Sequence, residues 1–174
     1  MLYLTEDDVD LMVGLVADSH DCLPRIKEAV AKINAEPVEL VLHAGDYSAP
    51  FVTDCFGALR VKMIGVFGNN DAEKELLRSR FAQAKHEIRG RFAEVQAGPM
   101  RIALTHGDEE DLLKHLTNCG GYDVVVHGHS HKATVSKQGR TLIVNPGELC
   151  GYLTGECTFA ILDTATMETR TVSF

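Results

Sequence analysis

Five short polar blocks carry side chains able to bind metal ions or move protons: Asp18-Ser19-His20, Gly45-Asp46, Gly68-Asn69-Asn70-Asp71, His106-Gly107 and Gly128-His129-Ser130-His131. Together they offer carboxylate oxygens, amide oxygens and imidazole nitrogens, and no thiolate. Such mixed nitrogen and oxygen donors suit Mn, Fe, Co, Ni or Zn, whereas a structural zinc site is normally built with cysteine. Asp18 and His20 are two residues apart, as are His129 and His131. Side chains at i and i+2 of an extended segment point the same way. Each pair is therefore expected to chelate together, unless a turn re-aims the second. The inventory exceeds what one ion takes while keeping an open position, so it points to two ions sharing a bridging carboxylate. Two divalent cations roughly 3.5–4 Å apart can clamp a phosphoryl group and activate the water that attacks it in line.

Taken singly, each block has an ordinary reading. Asp18 is a plausible turn or helix cap, Gly45-Asp46 a turn, Asn69-Asn70-Asp71 a helix start, and His106 a surface or satisfied core histidine. Their placement separates them from these readings, because every block directly follows an apolar run. The run at 11–17 reads as a fully buried strand, and those at 39–44 and 61–67 as a second and a third strand. Between and after them, amphipathic stretches at 23–35, 50–59 and 72–80 read as helices. That βαβαβα order predicts a largely parallel sheet with helical crossovers. The second half is richer in strands. Hairpins are expected at 91–97/100–105, 133–137/141–144 and 158–163/168–173, with a helix at 108–119 closed by Gly120-Gly121 and a short strand at 124–127. In open α/β sheets ligands bind beyond the carboxyl ends of the strands, so five strand ends would gather the five blocks into one site.

The 174 residues fit one domain, and 45% hydrophobic composition supports a sizeable core. A net charge of −8 with no basic stripe argues against an extended nucleic-acid surface. A small phosphate ester remains compatible, because bound cations invert the local charge. No apolar stretch reaches the ~18 residues of a membrane helix, and the acidic first ten residues resemble no signal peptide. The five cysteines are odd in number and lack a Cys-x-x-Cys pair, which suits a reducing cytoplasm.

The ordered set DSH, GD, GN, HG and GHSH resembles the calcineurin-like metallophosphoesterase superfamily, in particular its small single-domain phosphodiesterase branch in archaea and bacteria. The likeness runs from about Met12 to the C-terminus and takes in NPGE at 145–148 and CGYLTG at 150–155. It implies the metallo-dependent phosphatase fold, a four-layer α-β-β-α sandwich of two mixed sheets flanked by helices. It implies one metal on Asp18, His20, Asp46 and His131, and a second on Asp46, Asn69, His106 and His129, with Asp46 as the bridge. The two divalent ions, drawn from Mn, Ni, Co, Fe or Zn, would activate a hydroxide on a small phosphodiester. A homodimer is compatible with the resemblance. The alternatives are a protein-interaction scaffold of the same fold, whose known example has a degraded metal site, and a phosphomonoesterase or nuclease.

The chain departs from larger relatives at Asn70, where they carry a histidine that protonates the leaving group or contacts phosphate. Asparagine exchanges no proton near neutral pH, so aryl esters should turn over better than alkyl ones. Asp71 is then expected to serve as a helix cap, His43 and His127 as packing near the site, and His86 and His115 as surface residues. Asn145 and Gly147 are expected to shape a loop, and Glu148 to influence substrate choice. Met1–Leu11 precedes the start of the likeness, and this extension is expected to be dispensable for catalysis.

Overall fold

A computed structural model describes residues 9–174. The proposed extension falls largely on residues 1–8, outside the described part. Leu11 itself is tied down: its N–H donates to Thr164 Oγ1 at 2.7 Å, and its carbonyl accepts the Thr164 N–H at 3.0 Å. A dispensable arm therefore cannot include Leu11 without removing two bonds to the sheet.

One sheet contains β1 (Met12–Val16), β2 (Leu40–His43), β3 (Lys62–Gly65), β4 (Glu87–Ile88), β10 (Thr158–Asp163) and β11 (Thr169–Ser173), in the order β11-β10-β1-β2-β3-β4. The second contains β5 (Phe92–Ala97), β6 (Met100–Thr105), β7 (Val124–Val126), β8 (Ala133–Gln138) and β9 (Thr141–Pro146), in the order β5-β6-β7-β9-β8. Both are mixed. β1, β2, β3 and β4 run parallel while β10 and β11 pair antiparallel. β6, β7 and β9 run parallel, with antiparallel β5 and β8 at the edges.

Side-chain alternation explains the layers. Val13, Leu15, Leu42 and Ile64 face inward against Val95, Ile102, Leu104, Val124, Val126 and Val144 of the second sheet. Their neighbours Val16, Val41 and Met63 face outward onto Ile26, Val30 and Ile33 of helix α1 (Leu23–Ile33), Phe56 of α2 (Thr53–Phe56), and Leu77 and Phe81 of α3 (Lys74–Gln83). Across the molecule, Ala103 and Val125 face Leu116 of α4 (Glu110–Asn118). Three apolar seams thus separate four layers, α-β-β-α, and the continuous apolar runs are the strands covered on both faces. Among the described residues, no helix is long and apolar enough to cross a membrane.

Two expectations need correction, and one strand was not anticipated. The helix expected over 50–59 divides into a 3-10 turn at Pro50–Val52 and the single helical turn of α2, which ends at Gly57. β4 is too short to show periodicity, yet it pairs in parallel with β3. His86 is buried rather than on the surface. Its Nδ1 accepts the Met63 N–H at 3.2 Å, leaving Nε2–H to donate to the Phe56 carbonyl at 3.0 Å. Its polar neighbours Lys85 and Glu87 gave no hint of this inward turn. His115 is exposed as expected.

Candidate metal centre

The carboxyl ends of β1, β2 and β3 meet those of β6 and β7 along one edge of the sandwich, and the five polar blocks are the loops that leave them. Backbone bonds lace these loops together. Asp18 N–H donates to the Gly45 carbonyl, and Ser19 and His20 N–H both donate to the Asp46 carbonyl, each at 3.1 Å. Gly128 N–H reaches the His106 carbonyl at 2.8 Å. His129 N–H reaches Asp18 Oδ2 at 3.0 Å and so joins the two sheets. The loops approach so closely that side chains are excluded at two points. A Cβ on Gly68 would lie 2.1 Å from Asp46 Oδ1, and one on Gly128 would lie 2.7 Å from Asp18 Oδ2.

Of the seven expected side chains, Asp18, His20, Asp46, His106 and His131 form two overlapping clusters, with Asn69 and His129 beside His106. Ligand atoms of Asp18, His20 and His131 lie within 4.8 Å of one another, and so do those of Asp18, Asp46 and His106. Asn69 Oδ1 is 3.0 Å from His106 Nε2, and the His129 ring lies edge-on to His106 with centroids 5.2 Å apart. Asp18, Asp46 and His106 are buried, while Asn69 and His129 are exposed, so the centre has a floor and an open side. The i,i+2 pairs do not converge by extended geometry. Asp18 (φ 52°), His20 (φ 40°), Asp46 (φ 62°), His129 (φ 66°) and His131 (φ 61°) all adopt left-handed backbone. Such residues cost roughly 1–3 kcal/mol each and cluster where function over-determines the backbone.

The protonation pattern tests whether these groups suit a cation. His106 Nδ1 lies 2.8 Å from the Ala44 carbonyl, which only accepts, so Nδ1 carries the hydrogen. The Nε2 lone pair then faces two more acceptors, Asn69 Oδ1 at 3.0 Å and Asp46 Oδ2 at 3.3 Å. His20 Nε2 sits 3.7 Å from Asp18 Oδ1 and 3.5 Å from Asp46 Oδ2. Among the described residues, His20 Nε2 and Asp18 Oδ1 are buried with no hydrogen-bond partner. Lone pairs converging on one point without donors fit cations. Burial opposes charge on both His20 and His106, yet the carboxylates of Asp18 and Asp46 outweigh it, and both imidazoles are raised above their ordinary range. For Asp46, burial is likewise outweighed by the neighbouring His106 and by the Asn70 hydrogen bonds, which hold its carboxyl well below the usual range. The centre therefore favours positive charge.

Asn70 holds Asp46 from the other side. Its N–H donates to Asp46 Oδ1 and its Nδ2 to Oδ2, both at 2.8 Å. His43 and His127 pack beside the centre rather than joining the converging atoms. His43 Nδ1 accepts the Gly45 N–H at 3.1 Å, its ring stacks on Tyr47, and burial followed by the nearby His106 brings it down to about 3. Asn145 shapes the loop as expected, donating to the Gly128 carbonyl and to Ser130 Oγ and accepting the Gly147 N–H.

Two expectations change. Asp71 is no helix cap: α3 begins at Lys74, with Glu73 at its N-cap. The Asp71 carboxylate instead accepts the N–H groups of Asp46, Tyr47, Ser48 and Gly68, stapling the β2 and β3 exit loops together. Glu148, expected to influence substrate choice, is fully buried behind His131 and presents nothing to an ester. Both residues stood in short motifs whose sequence showed an acidic group but not the donors folded around it.

The calcineurin-like phosphoesterase superfamily domain matches residues 11–167. A phosphodiesterase from Methanocaldococcus jannaschii is 37% identical over 163 residues, spanning 93% of this chain and 98% of the relative. The solved structure of an archaeal phosphodiesterase superposes with a TM-score of 0.90 at 36% identity, covering 94% of this chain and all of that one. A Vps29 from Entamoeba histolytica shares the fold, with a TM-score of 0.69 at 18% identity and coverage of 94% and 99%.

Proposed function

This chain belongs to the calcineurin-like phosphoesterase superfamily, and we propose that its seven convergent side chains hold two divalent cations with which it hydrolyses a small phosphodiester. It is a phosphodiesterase, a phosphoric ester hydrolase, like the relative that matches it over 93% of its length. One cation is assigned to Asp18, His20, Asp46 and His131, the other to Asp46, Asn69, His106 and His129, with Asp46 between them. Mn, Ni, Co, Fe and Zn all suit these donors. The observation that carries the reading is the convergence of His20 Nε2 and Asp18 Oδ1, both buried without a hydrogen-bond partner, with the His106 Nε2 lone pair close by.

Bound there, the cations would neutralise phosphoryl charge and acidify water. The chain's own residues supply position. Ala44 fixes the His106 tautomer, Asn70 fixes both oxygens of Asp46, and Asp71 fixes the loops that carry Asp46 and Asn69. Asn69 and His129 line the open side, from which a small ester can approach. Because the Asn70 amide is committed to Asp46, it offers the leaving oxygen no acidic proton. The complete set of seven side chains favours an enzyme over an interaction scaffold.

The test is a panel of single metals added to metal-free protein. Bis(p-nitrophenyl) phosphate would be compared with p-nitrophenyl phosphate and single-stranded DNA, for wild type and Asp46→Ala. Metal-dependent turnover of the diester, lost in the variant, is expected. Metal-independent hydrolysis or full activity in Asp46→Ala overturns the reading. Preference for the monoester or for DNA reassigns the substrate.

A further inference from the structure

A buried carboxylate stands directly behind one of the seven side chains. Glu148 follows β9 and is 0% exposed. Its Oε2 lies 2.6 Å from His131 Nδ1 and also accepts from Cys150 Sγ at 3.0 Å and from Tyr152 N–H at 3.1 Å. Its Oε1 accepts from Leu153 N–H at 3.0 Å, Thr154 N–H at 2.6 Å and Thr154 Oγ1 at 2.7 Å. Five donors from the 150–154 loop thus hold both oxygens in place while the sixth contact goes to the histidine. An ionised carboxylate only accepts, so the hydrogen in this contact belongs to His131 Nδ1 and the Nε2 lone pair is left free. That lone pair faces Asp18 Oδ1 across 3.6 Å, an oxygen that itself has no hydrogen-bond partner. The stacked His20 ring, 5.1 Å away by centroid, completes the group.

We propose that Glu148 is a positioning residue, clamped by the 150–154 loop, that fixes His131 as its Nδ1–H tautomer and aims Nε2 at the cation shared with Asp18 and His20. This rests on the metal-centre reading above. The competing account is that Glu148 merely staples its own loop. Glu148→Gln separates the two. An amide oxygen in the Oε1 position still accepts from Leu153 and Thr154, so the larger part of the loop contact survives, although Tyr152 N–H and Cys150 lose their acceptor. An amide nitrogen beside His131 Nδ1 can only donate, which drives the imidazole hydrogen onto Nε2, the form that cannot ligate. Thr154→Val makes the opposite change, removing a loop donor and leaving the histidine contact intact.

Metal-free wild type, Glu148→Gln and Thr154→Val would be titrated calorimetrically with Mn2+ alone, each checked by thermal melting. Removing the outer partner of a ligating histidine costs roughly 10- to 100-fold in metal affinity. Glu148→Gln should lose that factor at one of two sites and keep the other, while Thr154→Val binds both ions like wild type. Wild-type affinity at both sites in folded Glu148→Gln, or equal weakening of both, overturns the proposal. If that variant does not fold, the imidazole 15N spectrum of metal-free wild type decides, taken where His131 is neutral. A hydrogen on Nδ1 supports the proposal and a hydrogen on Nε2 overturns it. Wild type that binds no Mn2+ overturns this proposal together with the metal centre. Two bound ions without hydrolysis of bis(p-nitrophenyl) phosphate overturn only the assigned reaction.

Discussion

Replacing Asp71 with asparagine tests whether one buried carboxylate holds two metal-bearing loops together. The change is nearly isosteric, so packing is preserved and the hydrogen bonds are what alter. Asp71 Oδ1 accepts from Tyr47 N–H at 2.6 Å and Ser48 N–H at 2.9 Å, while Oδ2 accepts from Asp46 N–H at 3.1 Å and Gly68 N–H at 2.7 Å. An amide keeps one oxygen. Whichever way it is turned, its nitrogen faces two N–H donors that cannot be satisfied. Each buried donor left without a partner costs about 1–3 kcal/mol, giving a loss of about 2–6 kcal/mol. Burial pushes the Asp71 carboxyl up despite these donors, so its charge carries a desolvation cost that asparagine avoids. That offset favours the lower half of the range. For a domain of this size, 1 kcal/mol shifts Tm by about 2–4 °C, so Asp71→Asn should melt at least ~4 °C lower. Urea unfolding of metal-free protein would measure the loss, with exposed Asp111→Asn as a control expected within about 0.5 kcal/mol of wild type. The Mn2+ affinity of Asp71→Asn should also fall, because Asp46 and Asn69 ride on the stapled loops. A loss below about 1 kcal/mol with unchanged Mn2+ affinity would refute the stapling role.

Gly68→Ala places a Cβ 2.1 Å from Asp46 Oδ1. Displacing a reacting group by about 1 Å can cost 100-fold, so metal-dependent turnover should drop by roughly that factor, whereas Gly121→Ala, facing only Cys119 Sγ at 3.4 Å, should stay near wild type. His43 has a folded pKa of about 3, brought below its unfolded value of roughly 6.5 by burial first and His106 second. Its contribution to stability is therefore complete above pH ~6.5 and is lost as pH falls toward 3, by up to about 1.4 kcal/mol per pH unit. Unfolding free energies of metal-free protein at pH 7 and 5 should differ less for His43→Gln than for wild type, and equal slopes would count against this account. Because Asn70 supplies no exchangeable proton, rates across a series of diesters should fall as leaving-group pKa rises. A flat series with chemistry rate-limiting would show that another group donates the proton.

Some of this protein was already determined by its sequence. A strand covered on both faces is apolar through its buried positions, so β1, β2, β3 and β7 announced themselves as short apolar runs, and β6 as an arm of a hairpin. The polar blocks beyond them stood out because a ligand set must interrupt an apolar core at its edge. Order along the chain then placed all seven candidate side chains on one side of the sandwich. Tertiary structure decided what those side chains do to one another. Left-handed backbone at Asp18, His20, His129 and His131, rather than extended pairing, brings them together, and it is set by loops bonded across two sheets. The roles of Asp71, Glu148 and His86 depend on partners 17 or more residues away, or on backbone donors that carry no side-chain signature. A carboxylate reads the same in sequence whether it caps a helix, meets a substrate or holds another residue in place. Only the donors folded around it choose among these, and that choice made Asp71 and Glu148 supports of the centre rather than its visible chemistry.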